Sequence, residues 1–233
     1  MKLTILGNNG PFPTPGGACS SYLLQSDDKN ILLDMGSGAL SNLQKYIDAE
    51  DIDIIILSHL HYDHMSDIQL LKYAYQVKKT DKKPVLLLPS SPETIHDQIV
   101  CDYFDPADIT EDMELSLDGI SITFLKVRHP VECYAVKICD GRSTFVFSAD
   151  TFDDSELKVF AADADMLLID ACLLEKNKTK GALHFTVKEA CETGRCAKRT
   201  LLTHFSPLNN IDDIRAEISF GAELSEQGGE YSF

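Results

Sequence analysis

An α+β fold of two sheets with helices outside them is what this chain predicts. Three observations carry that expectation. Strand-like runs outnumber helical ones, and the helical ones are spread through both halves. The second half of the chain repeats the plan of the first. Apolar strands end again and again in a side chain able to hold a metal: Leu57 before His59, Val127 before His129, Phe147 before Asp150, Leu202 before His204.

Taken in order, Lys2–Leu6 alternates like a strand and stops at the turn Gly7-Asn-Asn-Gly10. The Pro- and Gly-rich stretch 11–17 reads as a rigid rim loop between strands. Cys19–Gln25 and Asn30–Leu33 read as a hairpin about Asp27-Asp28-Lys29, with Asp34 ending its second strand. A helix follows, with Leu40, Leu43 and Ile47 on one face. The apolar run Ile52–Leu57 reads as a buried strand and leads into Ser-His-Leu-His-Tyr-Asp-His, residues 58–64. Ser66-Asp-Ile-Gln69 has the form of a capping box, opening a helix over Asp67–Lys79 with Ile68, Leu71 and Tyr75 inward. Val85–Leu88 is the next strand and Glu93–Tyr103 the next helix, with His96 at its surface.

The second half opens with strands Met113–Leu117 and Ile120–Val127 about Asp118-Gly119, then Arg128-His129-Pro130. Cys133–Cys139 and Thr144–Phe147 form a further hairpin about Asp140-Gly141 and run into Ser148-Ala-Asp-Thr151. A helix near Asp154–Ala161, a strand Met166–Ile169 and Asp170 at its end come next. Thr186-Val-Lys-Glu189 is a second capping box, opening a helix to about Cys196. Leu201-Leu202 is a short strand ending at Thr203-His-Phe-Ser-Pro207. A last helix lies near Ile211–Ile218, and the tail 222–233 reads as two short strands about Gln227-Gly-Gly229.

The 233 residues suit one large α/β domain over 1–233, with no stretch that reads as a linker. Acidic residues outnumber basic ones by 37 to 21, a net charge of −16, which disfavours general attraction to nucleic acid or an anionic membrane. The seven cysteines include no CxxC pair and lie mostly in apolar stretches, as reduced core thiols do. The N-terminus runs from a strand straight into Gly and Pro, unlike a signal peptide. No apolar run approaches the ~18–20 residues of a membrane span. A cytoplasmic protein is the expectation. Serine-nucleophile, Walker A and dinucleotide-binding motifs are all missing from the chain.

Between residues 58 and 64, four candidate ligands crowd together: His59, His61, Asp63 and His64. On an extended turn, residues two apart point the same way, so His59 and His61 can share one ion while Asp63 and His64 serve another. Imidazole with carboxylate suits zinc, manganese or iron rather than calcium. If the strands share one sheet edge, His129, Asp150 and His204 converge there too.

His59-x-His61-x-Asp63-His64, His129, Ser148-Ala-Asp-Thr151 and Leu202-Thr-His-Phe-Ser206 resemble the motifs of the metallo-β-lactamase superfamily, in its ribonuclease Z and phosphodiesterase branch. The openings Leu6-Gly-x-x-Gly-Pro and Leu32-Leu-Asp-Met-Gly-Ser-Gly38 fit as well. The resemblance implies a four-layer αββα sandwich, two mixed sheets packed face to face with helices outside. It also implies two divalent ions, zinc first and manganese or iron as alternatives. His59, His61 and His129 would bind one ion, Asp63, His64 and His204 the other, and Asp150 would bridge them. Asp63 would double as general base. Ala182-Leu-His-Phe-Thr186 is similar to that branch's motif beside the metals, which makes His184 a leaving-group acid or a phosphate clamp. The helix after His184 would offer N–H groups to a phosphate. Lys176, Lys178 and Lys180 read either as a solvated loop or as an anion guide.

Two divalent ions, two carboxylates and a bridging hydroxide sum to about +1, which attracts a singly charged phosphodiester. The tRNA-gripping arm of bacterial ribonuclease Z would fall between His129 and Asp150. Only about twenty residues separate them here, enough for one hairpin. A hydrolase of small or cyclic phosphodiesters is therefore the leading expectation. A tRNA 3′-end endoribonuclease without the arm is the second, and a non-enzymatic metal-binding module the third. The sequence leaves open whether the chain forms a homodimer.

Overall fold

The computed structural model describes residues 1–153 and 155–233. They fall into two compact units, Met1–Ile109 with Glu226–Ser232, and Thr110–Ser225 with Phe233. Each unit carries one mixed seven-stranded sheet. The strands are β1 (Lys2–Gly7), β2 (Ser21–Ser26), β3 (Lys29–Leu33), β4 (Ile54–Ile56), β5 (Val85–Leu88) and β6 (Asp105–Asp108) in the first unit. Then come β7 (Glu114–Leu117), β8 (Ile120–Lys126), β9 (Tyr134–Cys139), β10 (Thr144–Phe147), β11 (Met166–Asp170), β12 (Thr200–Thr203) and β13 (Glu223–Leu224), and β14 (Glu230–Ser232) returns to the first sheet. The orders are β14-β1-β2-β3-β4-β5-β6 and β13-β12-β11-β10-β9-β8-β7.

The repeat anticipated between the halves is present in the pairing. β1, β2 and β3 are antiparallel and β3 to β6 parallel; β7 to β10 are antiparallel and β10 to β13 parallel. Residue patterns follow this pairing. β4 and β11 lie between parallel neighbours and are buried throughout, hence their unbroken apolar runs. β8 lies between antiparallel neighbours and alternates buried positions with exposed or half-buried ones. The two short tail strands part company: β14 extends the first sheet beside β1, and β13 extends the second beside β12.

The helices are α1 (Ala39–Leu43), α2 (Tyr62–Met65), α3 (Ile68–Lys78), α4 (Glu93–Ile99), α5 (Leu157–Phe160), α6 (Val187–Gly194) and α7 (Ile211–Glu217). In the first unit, Leu43, Ile68, Leu71 and Tyr75 meet Leu23, Leu32, Ile55 and Leu86 in one core. In the second, Leu157, Val187, Ala190 and Ile214 meet Val146, Leu167, Ile169 and Leu202. No helix among the described residues is long and apolar enough to cross a membrane.

Several local expectations need correction. The capping box at Ser66 does not form: Ser66 is the helical end of α2 (φ −58°, ψ −37°) rather than an extended N-cap, and the Gln69 side chain donates instead to the Gln98 carbonyl. The box at Thr186 does form, with the Thr186 hydroxyl accepting from the Glu189 N–H and the Glu189 carboxylate from the Thr186 N–H. The helix expected over Glu93–Tyr103 ends at Ile99, where Val100 turns extended and carries the chain into β6. That strand was not anticipated, since Asp-Pro-Ala-Asp reads as a loop; Pro106 is tolerated because β6 is an edge strand. The helix expected near Asp154–Ala161 is four residues long, and Asp154 itself lies outside the described residues.

Candidate metal centre

In the first unit the site residues gather at the C-terminal ends of the parallel strands β3 and β4, where such sheets place their ligands. Asp34 follows β3 and is fully buried. Its carboxylate accepts from the Ser58 N–H (2.7 Å), the Ser58 hydroxyl (2.9 Å) and His64 Nδ1 (2.7 Å). An ionised carboxylate only accepts, so a neutral His64 facing it carries its proton on Nδ1 and keeps the Nε2 lone pair for a metal. Burial pushes the Asp34 carboxyl above the ordinary range, while His64 and Ser58 pull it back. The Ser58 hydroxyl also lies 3.1 Å from His59 Nδ1, leaving Nε2 on the far side of that ring.

The loop after β4 is extended at His61, and α2 begins at Tyr62, so Asp63 and His64 are helical. Backbone bonds tie this loop to the end of β3: Met35 N–H donates to His64 C=O and Asp67 N–H to Met35 C=O. Gly36 allows the approach, for a Cβ there would stand 2.0 Å from the Asp63 carbonyl oxygen.

Donor spacing in this cluster suits metal ligation. His59 Nε2 lies 3.0 Å from His61 Nδ1, and His64 Nε2 lies 3.4 Å from Asp63 Oδ2. Two donors each ~2.0–2.2 Å from one zinc ion cannot stand more than ~4.4 Å apart.

The second unit builds its cluster the same way, on the ends of parallel β10, β11 and β12. Asp150 follows β10, Asp170 ends β11 and His204 follows β12. Ala149 (φ 53°) and His204 (φ 59°) hold left-handed backbone conformations that cost free energy, and such strain concentrates where side chains must be aimed. His204 Nε2 lies 3.3 Å from Asp150 Oδ2. His184, just ahead of α6, places Nδ1 2.8 Å from the buried Asp170 carboxylate and 3.8 Å from Asp150. Its ring stacks on His204 at 5.2 Å and meets the His129 ring edge-on at 5.5 Å. Asp170 also accepts from the Thr151 and Cys172 N–H groups. Burial raises its carboxyl, as does Asp150, against the pull of His184.

Each unit therefore brings its own predicted residues together: His59, His61, Asp63 and His64 in the first, His129, Asp150, His184 and His204 in the second. Three residues outside the predicted set belong beside them. Asp34 and Asp170 each hold a histidine through Nδ1, an arrangement that orients metal-site imidazoles. A signal for them existed, since Leu32-Leu-Asp34 and Leu168-Ile-Asp170 each end an apolar strand in a carboxylate. Cys172, expected among inert core thiols, has its Sγ within 4.8 Å of donor nitrogens of His184 and His204.

One expectation about anion binding needs correction, and one open choice narrows. The first N–H groups of α6 are engaged: Val187 donates to Leu173 C=O, and Glu189 to the Thr186 hydroxyl. Glu175 and Glu189 both bond Thr186, so negative charge already occupies that helix end. Lys176 and Lys178 are paired with Asp213 and Glu189, which makes them a solvated, neutralised stretch rather than an anion guide. His96 lies near the surface as expected, clasped between Asp97 and Asp108.

This sheet arrangement, with clustered imidazole and carboxylate donors in each unit, defines a metal-dependent hydrolase. The chain belongs to the metallo-beta-lactamase superfamily, whose model matches residues 14–162. A probable metallo-hydrolase of Bacillus subtilis, YhfI, is 35% identical over 227 residues, covering 93% of this chain and 92% of the relative. The crystal structure of YhfI, a metallo-beta-lactamase fold protein, matches with a TM-score of 0.92 over 99% of both chains, so the fold is the α/β sandwich of the superfamily. Human tRNase Z, short form, shares that fold at a TM-score of 0.80 and 20% identity, over 100% of this chain and 99% of its own. A diphosphatase of the PhnP family does so at 0.76 and 20% identity, over 100% and 97%.

Proposed function

We propose that this chain is a phosphodiesterase acting on small or cyclic phosphodiesters with two divalent ions, zinc first among the candidates. The seven ligands proposed are His59, His61, Asp63 and His64 from the first unit and His129, Asp150 and His204 from the second, the two units acting as one domain over 1–233. The observation that carries the reading is the doubled relay. Buried Asp34 fixes His64 through Nδ1, and buried Asp170 fixes His184 in the same manner. Bound divalent cations would supply Lewis acidity and a water of lowered pKa.

The residues divide the remaining work. Asp63 takes the proton of the attacking water. His184 is not among the seven ligands; with Nδ1 held by Asp170, its Nε2 is left to protonate the leaving oxygen or hold the phosphate. A cytoplasmic location agrees with cysteines that form no disulfide among the described residues.

Metal-loaded protein should hydrolyse bis-(p-nitrophenyl) phosphate and 2′,3′-cyclic nucleotides. Inactivity on both, with turnover of a thioester or lactone, would end the phosphodiester reading. Processing of a tRNA 3′ end is the second reading. Its support is the likeness of fold to human tRNase Z over the full chain. The net charge of −16 and the single short hairpin between His129 and Asp150 weigh against it. Cleavage of a precursor tRNA at stated salt would decide in its favour.

A further inference from the structure

We propose that a cavity of about 310 Å³ in the second unit receives the organic group of the substrate, and that this group is nucleoside-sized, rich in hydrogen-bond donors and free of negative charge. The assignment of the occupant as part of a phosphodiester rests on the reading above; the donor preference follows from the lining itself.

The cavity adjoins the second unit's cluster along the chain. Arg128 of its wall directly precedes His129, and Asp153 follows Asp150 by three residues. At ~3.3–3.6 Å per residue, three residues span no more than ~11 Å, within the reach from a phosphorus atom to the far edge of an attached nucleoside. Hydrogen bonds fix the connection: the Asp153 N–H donates to the Thr151 hydroxyl, and the Thr151 N–H to Asp170.

Leu125, Val127 and buried Leu157 form an apolar floor that belongs to the unit's core. Such a floor suits the face of a heterocycle. The cations at the rim are already matched, Arg128 to Asp153 at 3.0 Å and Lys126 to Glu132 at 3.7 Å. Glu111 and Glu156 add two exposed carboxylates to the lining. Carboxylates only accept hydrogen bonds, so amino and hydroxyl groups satisfy them, whereas a further phosphate would meet like charge. The volume lies at the small end of the ~300–1,000 Å³ of small-molecule sites, which fits one nucleoside and not a folded RNA.

The test is the double variant Glu111→Gln/Glu156→Gln, with both substitutions isosteric and on exposed positions. With metal-loaded enzyme, KM for 2′,3′-cyclic AMP and 2′,3′-cyclic CMP should rise about tenfold or more at unchanged kcat, the loss expected for charge-assisted bonds. For bis-(p-nitrophenyl) phosphate, which has no donor groups, KM should not rise. Calorimetric titration with adenosine should show binding to the wild type, weakened at least about tenfold in the variant. Equal adenosine binding by the two proteins, no binding by the wild type, or a uniform loss on every substrate would overturn the assignment. Adenosine carries no phosphate. If no phosphodiester is cleaved but adenosine still distinguishes the proteins, the phosphodiesterase reading falls and the cavity assignment stands.

Discussion

Asp34→Asn isolates the role of a buried carboxylate that touches no substrate. Asp34 holds a left-handed backbone conformation (φ 55°), which asparagine adopts readily, so the chain path should survive. Asparagine also keeps an oxygen for the Ser58 N–H, now 2.7 Å from Oδ1. What changes is the group facing His64 Nδ1, from an acceptor to an amide N–H₂. His64 must then accept through Nδ1 and carry its proton on Nε2, the nitrogen needed for a metal. Loss of such an orienting partner typically costs ~10–100-fold in metal affinity, or about 1.4–2.7 kcal/mol. The metal-free fold should lose ~1–3 kcal/mol as well, from one strained buried polar contact. Competition with a chromophoric chelator gives the affinity, and urea unfolding of the metal-free protein gives the stability. A variant that binds metal with wild-type affinity would refute the claim that Asp34 sets the His64 tautomer.

Three further outcomes are expected. His184→Ala should lower kcat about 10²–10⁴-fold while metal stoichiometry, measured by plasma emission, stays as in the wild type; loss of metal instead would make His184 a ligand. Gly36→Ala should destabilise by ~1–3 kcal/mol and empty the first unit's cluster, because its methyl group would overlap the Asp63 carbonyl. Wild-type thermal stability and metal content in that variant would contradict the close packing. Burial pulls His96 down, but Asp97 and Asp108 outweigh it and hold the imidazole above its ordinary value of 6.5. The stability it lends is therefore full below that value and is lost as pH rises through its higher folded value. Since both aspartates are largely exposed, it should amount to less than ~1 kcal/mol. Urea curves of wild type and His96→Gln should differ at pH 5.5 and coincide at pH 8.5; a gap that widens with pH would reverse the assignment.

The strands with the plainest apolar runs were legible in place and type, though Ile52–Leu57 narrowed to Ile54–Ile56 and Met166–Ile169 extended to Asp170. Ile54–Ile56, Val85–Leu88 and Met166–Ile169 are buried among parallel neighbours, and burial on both faces leaves an unmistakable record in composition. β6 was not legible, because an edge strand is held by one neighbour's backbone and asks little of its side chains. The Ser66 box looked as good as the Thr186 box. Ser66 instead closes α2 in a helical conformation, and the Gln69 amide is taken by the Gln98 carbonyl, 29 residues away.

The site divides along the same line. Sequence named His59, His61, Asp63 and His64 as a cluster and His129, Asp150 and His204 as residues that converge if their strands share an edge, and the family resemblance added His184. Sequence also set the net charge that argues against a nucleic-acid surface. Tertiary structure decided which carboxylates hold which rings, because His64 and Asp34 lie 30 residues apart and His184 and Asp170 lie 14 apart. It decided too that the start of α6 is sealed by its own cap, and that Leu125, Glu156 and Arg128 line one cavity. Hydrogen bonds and cavities depend on atoms a few ångströms apart in space, and a linear order of residues does not contain that distance until the chain has folded.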